Sequence, residues 1–171
     1  DRLRSRGLGD VYKRQVREAA EKFVESRIRE GENLKKDLLA KLAAMSDIVA
    51  YIEEKSPQII EDYKARLIEK VDELAINTQI DDQRIAAEVT MYADKVCVDE
   101  EVVRLRSHID STIKILTEGG AVGRKLDFIV QEMNREANTI LSKANSLIIS
   151  DKGIDLKTEI EKVREQIQNI E

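Results

Sequence analysis

His108 is the only histidine of the chain, and histidine is the side chain whose ordinary pKa, about 6.5, suits proton transfer near neutrality. Arg104 stands one helical turn before it and Glu101 one turn before that. Projected on a helix at about 100° per residue, the three fall in one stripe along the flank of a face built from Leu105, Ile109, Thr112 and Leu116. A second group follows the glycines at 119, 120 and 123. There Lys125, Phe128, Glu132, Arg135, Glu136, Thr139 and Lys143 crowd the side flanking another apolar seam.

Each residue type suggests a chemistry. Arginine offers a planar, bidentate donor set to phosphate oxygens, which suits Arg104, Arg124 and Arg135, with Lys143 as a further cation. Glu132 and Glu136, one turn apart, could share a divalent cation through oxygen ligands, with Glu101 or Asp127 as a third carboxylate. Arg124 and Lys125 sit where a glycine-rich backbone meets a helix start, a favourable place for an anion. No strand precedes those glycines, so they are not a Walker or Rossmann loop. Phe128 could stack a base. The same residues would also serve, with no catalysis, as ion pairs between packed helices.

Other chemistries are excluded. One histidine forbids a two-histidine relay within one chain, and one cysteine forbids a disulfide framework or a cysteine-cluster zinc site. On a continuous helix Cys97 and His108 would lie about 16 Å apart, too far for a nucleophile pair. No apolar run approaches the roughly 18 residues of a membrane span, and no secretory leader is recognisable. The net charge of −5 is unevenly spread. Between Arg104 and Lys143, seven basic residues stand against five acidic ones, so the remainder is strongly acidic.

Elements to position these groups are easily found. With 37% charged, 42% hydrophobic and 4% aromatic residues, seven glycines and one proline in 171 positions, the chain suits long helices and not a β-sandwich or barrel. The fold class is therefore all-α, with long antiparallel amphipathic helices forming an extended hairpin or bundle. Residues 1–15 carry five basic residues without an apolar stripe or an initiating Met. They read as a non-native or disordered extension of adapter origin. From Val16 an apolar stripe (Ala20, Phe23, Ile28, Leu34, Leu38, Leu42, Met45, Val49, Ile52) predicts a helix to about Lys55, some 60 Å long if unbroken. Ser56-Pro57 predicts a stop and restart, and the next helix ends near Asn77. Asp81 or Asp82 would cap a third helix, and a break near Val98-Asp99 would precede a fourth. A fifth, opening near Val122, has the heptad Leu126, Ile129, Met133, Ala137, Ile140 and Ala144. The last, from Asp151 or Asp155, has Leu156, Ile160, Val163, Ile167 and Ile170. The expected division is a helical hairpin region at 16–98 and a helical C-terminal region at 99–171 that carries the site.

Three strings, EEVVRLRSH at 100–108, GRKLDFIVQEMNREANTILSKAN at 123–145 and EKVREQIQNIE at 161–171, resemble the C-terminal half of the bacterial YicC family. The resemblance implies a cytoplasmic, metal-dependent endoribonuclease with an all-helical C-terminal region and a multimeric, hexameric assembly. It also implies an N-terminal α+β domain, so this chain reads as a fragment. Motif positions matched here are Glu88, Glu100, Glu101, Arg104, His108, Gly123, Arg124, Asp127, Gln131, Glu132, Asn134, Arg135, Glu136, Asn138, Ser142 and Lys143. Cys97 stands where relatives commonly have Asp, and Ser146-Leu147-Ile148 replaces an acidic stretch.

The functional expectation is cleavage of RNA phosphodiesters. His108, Arg104, Arg124, Asp127 and Arg135 are its catalytic candidates, and Glu101, Glu132 and Glu136 are ligands for Mg2+ or Mn2+. Lys125, Asn138 and Lys143 would contact RNA. The partners expected are RNA, further copies of the chain and RNA-degradation machinery, with no membrane. The alternative is a non-catalytic helical oligomerisation or adaptor module in RNA turnover.

Overall fold

The computed structural model describes residues 2–74 and 82–170. The expected helix end near Asn77 and a cap at Asp81 lie outside them. Among the described residues there are five α-helices and no strand: α1 (Arg2–Leu74), α2 (Asp82–Val96), α3 (Asp99–Glu118), α4 (Gly123–Lys143) and α5 (Leu147–Ile167). The chain divides into two compact units at Leu38/Leu39. In the first, the helix exposes every side chain from Asp10 to Asn33, including Val16, Phe23 and Ile28. Phe23 and Ile28, positions of the expected apolar stripe, have no core to enter within that unit.

α1 begins at Arg2, upstream of the expected start at Val16, so that residues 2–15 are helical; two internal boundaries also differ from the sequence expectation. α1 passes through Ser56-Pro57 without a break. Proline lacks the N–H that would bond the carbonyl four residues back, and its ring crowds that turn. Ser56 Oγ donates to the Ile52 carbonyl at 2.7 Å, a back-bond that side chains of this type use where helices bend. Ile52, buried, anchors the turn before Pro57. The second difference is the start of α5 at Leu147, upstream of both Asp151 and Asp155, with Ser146 in extended conformation at the N-cap. Leu147 and Ile148 are exposed, so their apolar character says nothing about this start, while buried Ile149 and Gly153 extend the packed face back to it.

The other breaks fall where expected. Cys97 and Val98 interrupt α2 and α3. Gly119 and Gly120 adopt φ of 73° and 97°, a left-handed turn that glycine enters without Cβ strain. This turn folds α4 back antiparallel on α3, and the link at 144–146 folds α5 back on α4.

The second unit's core follows the heptads. Leu105, Ile109, Thr112 and Leu116 of α3 are buried, as are Leu126, Met133, Ala137 and Ile140 of α4 and Leu156, Ile160, Val163 and Ile167 of α5. Ile129 and Ala144 are half-buried, and Val130 takes a core place that the heptad does not assign. From α1, Leu42, Met45, Val49 and Ile52 are buried too. Each leucine, isoleucine, valine or methionine among them contributes about 1.5–3 kcal/mol when fully removed from water. Gly153 brings α5 close to α4: a Cβ there would lie 2.6 Å from Leu141 Cδ2. Tyr51 of α1 meets Lys55 of its own helix and Lys152 of α5, each ammonium 5.8 Å from its ring centre. Arg106 of α3 pairs with Glu53 of α1. No helix among the described residues is long and apolar enough to cross a membrane.

Candidate functional site

The α3–α4 seam is fixed by two inter-helix ion pairs. Glu101 Oε1 accepts from Lys143 Nζ at 2.9 Å, and Arg104 Nη1 lies 3.6 Å from Glu136 Oε1. The partners run in opposite directions along the two helices, as antiparallel packing requires. One turn beyond Arg104 on α3 is His108, and one turn before Glu136 on α4 is Glu132, so this register sets those two opposite each other. Glu101, Arg104, His108, Glu132, Glu136 and Lys143 therefore follow one edge of the helix pair, beside the core and not within it.

Burial grades along this edge. The Glu101 side chain is 7% exposed and Lys143 31%, so their charges are partly desolvated, whereas Arg104 is more than half exposed and Glu136 12% exposed. Lys143 Nζ also donates to the Cys97 carbonyl at 2.9 Å, tying the end of α4 to the α2–α3 link. Glu101 Oε2 is buried with no hydrogen-bond partner, a costly arrangement for a carboxylate oxygen. Arg104 is held by Glu100 as well, at 2.8 Å, and Arg135 pairs with Glu132 one turn back. His108 is half-buried. Its carbonyl accepts from Thr112 Oγ1 at 2.8 Å, and its ring makes no hydrogen bond or ion pair with a described residue.

Asp127, Asn138 and Arg124 are not on this edge. Asp127 lies on the other flank of α4, where Gln131 Nε2 donates to it at 2.8 Å and Arg164 Nε of α5 approaches to 3.9 Å. Asn134 is on the same flank, in a groove of about 650 Å³ with Lys157 and Glu161 of α5. Asn138, Arg124 and Lys125 are exposed. Arg124 and Lys125 form no ion pair with the described residues, at a helix start whose N-cap, Val122, makes no side-chain bond. Lys125 shares the projected stripe of Glu132 and Lys143, but Arg124 points away from it.

Spacing does not single out Arg164, whose Nε is buried without a hydrogen-bond partner. A signal exists nonetheless, since Arg164 lies in the EKVREQIQNIE string and directly follows the seam residue Val163.

Do these side chains fit a divalent cation? Among the described residues, no three His, Cys, Asp or Glu side chains converge as a metal-binding group. Lys143, Arg135 and Arg104 stand on Glu101, Glu132 and Glu136 respectively. As placed, the carboxylates answer cationic side chains and do not form a ligand shell.

Residues 52–171 match the family described as "Endoribonuclease YicC-like, C-terminal". A protein of Clostridioides difficile (strain 630) called "Probable endoribonuclease YicC" is 39% identical over 165 residues, covering 96% of this chain and 56% of the relative. A protein of the same description from Haemophilus influenzae is 38% identical over 149 residues, 87% of this chain and 51% of the relative. The chain thus spans about half the length of these curated relatives. With most of its length matched by that model, the chain belongs to the YicC-like endoribonuclease family and contains its C-terminal region.

Proposed function

We propose that the α3–α4 seam is where this protein cleaves RNA phosphodiester bonds. The single observation that carries the reading is the antiparallel register that lines up Glu101, Arg104 and His108 with Lys143, Glu136 and Glu132 along one solvent-facing edge. Membership of a family whose curated relatives are called probable endoribonucleases supports the same reading.

In this proposal Arg104, Arg135 and Lys143 exchange part of their carboxylate contacts for phosphate oxygens. The exchange is cheap at Arg104 and Arg135, which are exposed and gain little from surface pairing. His108 takes the proton from the attacking oxygen, or returns one to the leaving oxygen, because its ring has no hydrogen-bond or ion-pair partner among the described residues and its position lies on the edge. Glu132, opposite His108, would hold the imidazolium that forms. Arg124, Lys125 and Asn138 would contact RNA beyond the reacting phosphate, while Asp127 acts by fixing Arg164. The expected Mg2+ or Mn2+ has its candidate ligands in Glu132, Glu136 and Glu101, and cationic side chains stand on all three here, so no step runs through a metal. Assembly of several copies, by resemblance six, and a cytoplasmic location near RNA-degradation machinery belong to the same proposal.

Incubating the intact protein with a labelled RNA tests it. Cleavage by the wild type, with at least a 100-fold loss in both His108→Ala and Arg104→Ala and unchanged circular dichroism, is the expected result. A 2′,3′-cyclic phosphate end would assign attack to the ribose hydroxyl, and a 5′-phosphate end would assign it to water. Full cleavage by both variants would overturn the site.

The adaptor alternative has its own support, since every carboxylate of the seam already has a cation. It requires that Arg104→Ala lower the melting temperature and dissociate the assembly.

A further inference from the structure

Where the seam ends, a second feature begins. α1, α2 and the α4–α5 link enclose a groove of about 550 Å³ lined by Tyr63, Arg66, Leu67, Lys70, Tyr92 and Asn145. The spacing of 63, 66, 67 and 70 puts those residues on one face of α1. Tyr63 and Tyr92 stack across the groove, with ring centroids 3.6 Å apart and planes 9° from parallel. Tyr63 Oη donates to Glu88 Oε1 at 3.4 Å. Burial, then the charge of Glu88, raises that phenol above the ordinary tyrosine value of 10.0, so it stays a hydroxyl at neutral pH.

Arg66 and Lys70 are exposed and form no ion pair with the described residues, unlike the cations of the seam. Among the described residues their charge is unmatched. Asn145 follows Lys143 by two residues, and Lys143 is fastened to Glu101 and to the Cys97 carbonyl. The groove is thereby continuous in the chain with the buried end of the α3–α4 seam.

Aromatic faces, unengaged cations and an amide edge in one groove are the components that bind a single nucleic-acid strand. Bases stack on rings whatever their sequence, and cations follow the backbone. We propose that this groove is a separate RNA subsite, holding single-stranded RNA that runs to or from the seam. Arg66 and Lys70 contact successive phosphates, a base extends the Tyr63–Tyr92 stack, and Asn145 meets a base edge. The proposal rests on the reading that RNA is the substrate of the seam.

The test measures anisotropy of a fluorescein-labelled uridine 12-mer bound to the intact protein across a range of salt concentrations. The double variant Arg66→Ala/Lys70→Ala, on exposed positions that leave the core intact, should bind at least tenfold more weakly. Its slope of log affinity against log salt should become shallower by roughly 1.4, about 0.7 for each phosphate of a single strand that is no longer neutralised. Tyr92→Leu should weaken binding with the slope unchanged, and a dinucleotide too short to span both places should be cleaved at the wild-type rate by all variants. Unchanged affinity and slope in the double variant overturn the groove even where the seam cleaves RNA. Abolished RNA binding in the double variant, with a wild type that cleaves nothing, keeps the groove and overturns the seam. Binding of an acidic peptide in place of the 12-mer overturns the groove as an RNA subsite.

Discussion

At the residue scale, the Glu101–Lys143 pair decides most, because it is the least exposed pair of opposite charges on the edge. Removing one member leaves the other without compensation in a poorly solvated place. Lys143→Met should therefore cost roughly 1–3 kcal/mol, less than a fully buried pair because Lys143 is about a third exposed. Adding Glu101→Gln should recover more than half of that loss in a urea-unfolding double-mutant cycle. If the two losses simply add, the pair does not hold the seam. The flank positions of Glu101, Arg104, His108, Glu132, Glu136 and Lys143 were legible in the sequence because helical geometry alone sets the angle of each side chain. Which flank of α4 faces α3 was not legible, since spacing gives angles about one axis and not the neighbour on either side. For that reason Asp127, grouped with the catalytic candidates, is found on the flank toward α5 with Arg164.

Among the elements, heptads and glycines announced α3, α4 and the turn between them almost residue by residue. Local signals misled where tertiary packing outweighed them. Ser56-Pro57 reads as an N-cap and first-turn proline, yet the buried residues Met45, Val49 and Ile52 hold α1 in place before it and Ser56 turns its hydroxyl back to Ile52. Pro57 therefore occupies a helix interior without a compensating bond. Pro57→Ala should stabilise the protein by roughly 1–3 kcal/mol, as an upward shift in the thermal midpoint, because it restores the missing N–H and relieves the ring. Destabilisation by this change would mean that α1 needs the bend. Gly153 is the opposite case, a position that the seam pattern passes over and the structure makes tight. A branched side chain there must displace Leu141, whose Cδ2 would be 2.6 Å from the new Cβ. Gly153→Val should cost about 1–3 kcal/mol and lower the melting temperature by several degrees. An unchanged midpoint would mean that α4 and α5 separate without cost.

For the whole molecule, the fold class and family were readable because long amphipathic helices and a specific string such as GRKLDF–QEMNRE each leave a pattern in the sequence. For the proposed assembly, the only bearing observation among the described residues of the first unit is the exposure of Val16, Phe23 and Ile28. Apolar side chains in such numbers on one helix favour burial against a further copy. Sedimentation of the protein should accordingly give a mass several times that of one chain, and Phe23→Glu/Ile28→Glu should reduce it; a monomer in the wild type would contradict the oligomer. The central claim, that the α3–α4 edge performs the cleavage with His108 moving the proton, is tested most directly by chemical rescue. His108→Ala should lose at least 100-fold in the rate of RNA cleavage, and free imidazole in the buffer should restore part of it to the variant while leaving the wild type unaffected. Cleavage by His108→Ala at the wild-type rate, without imidazole, would contradict the account.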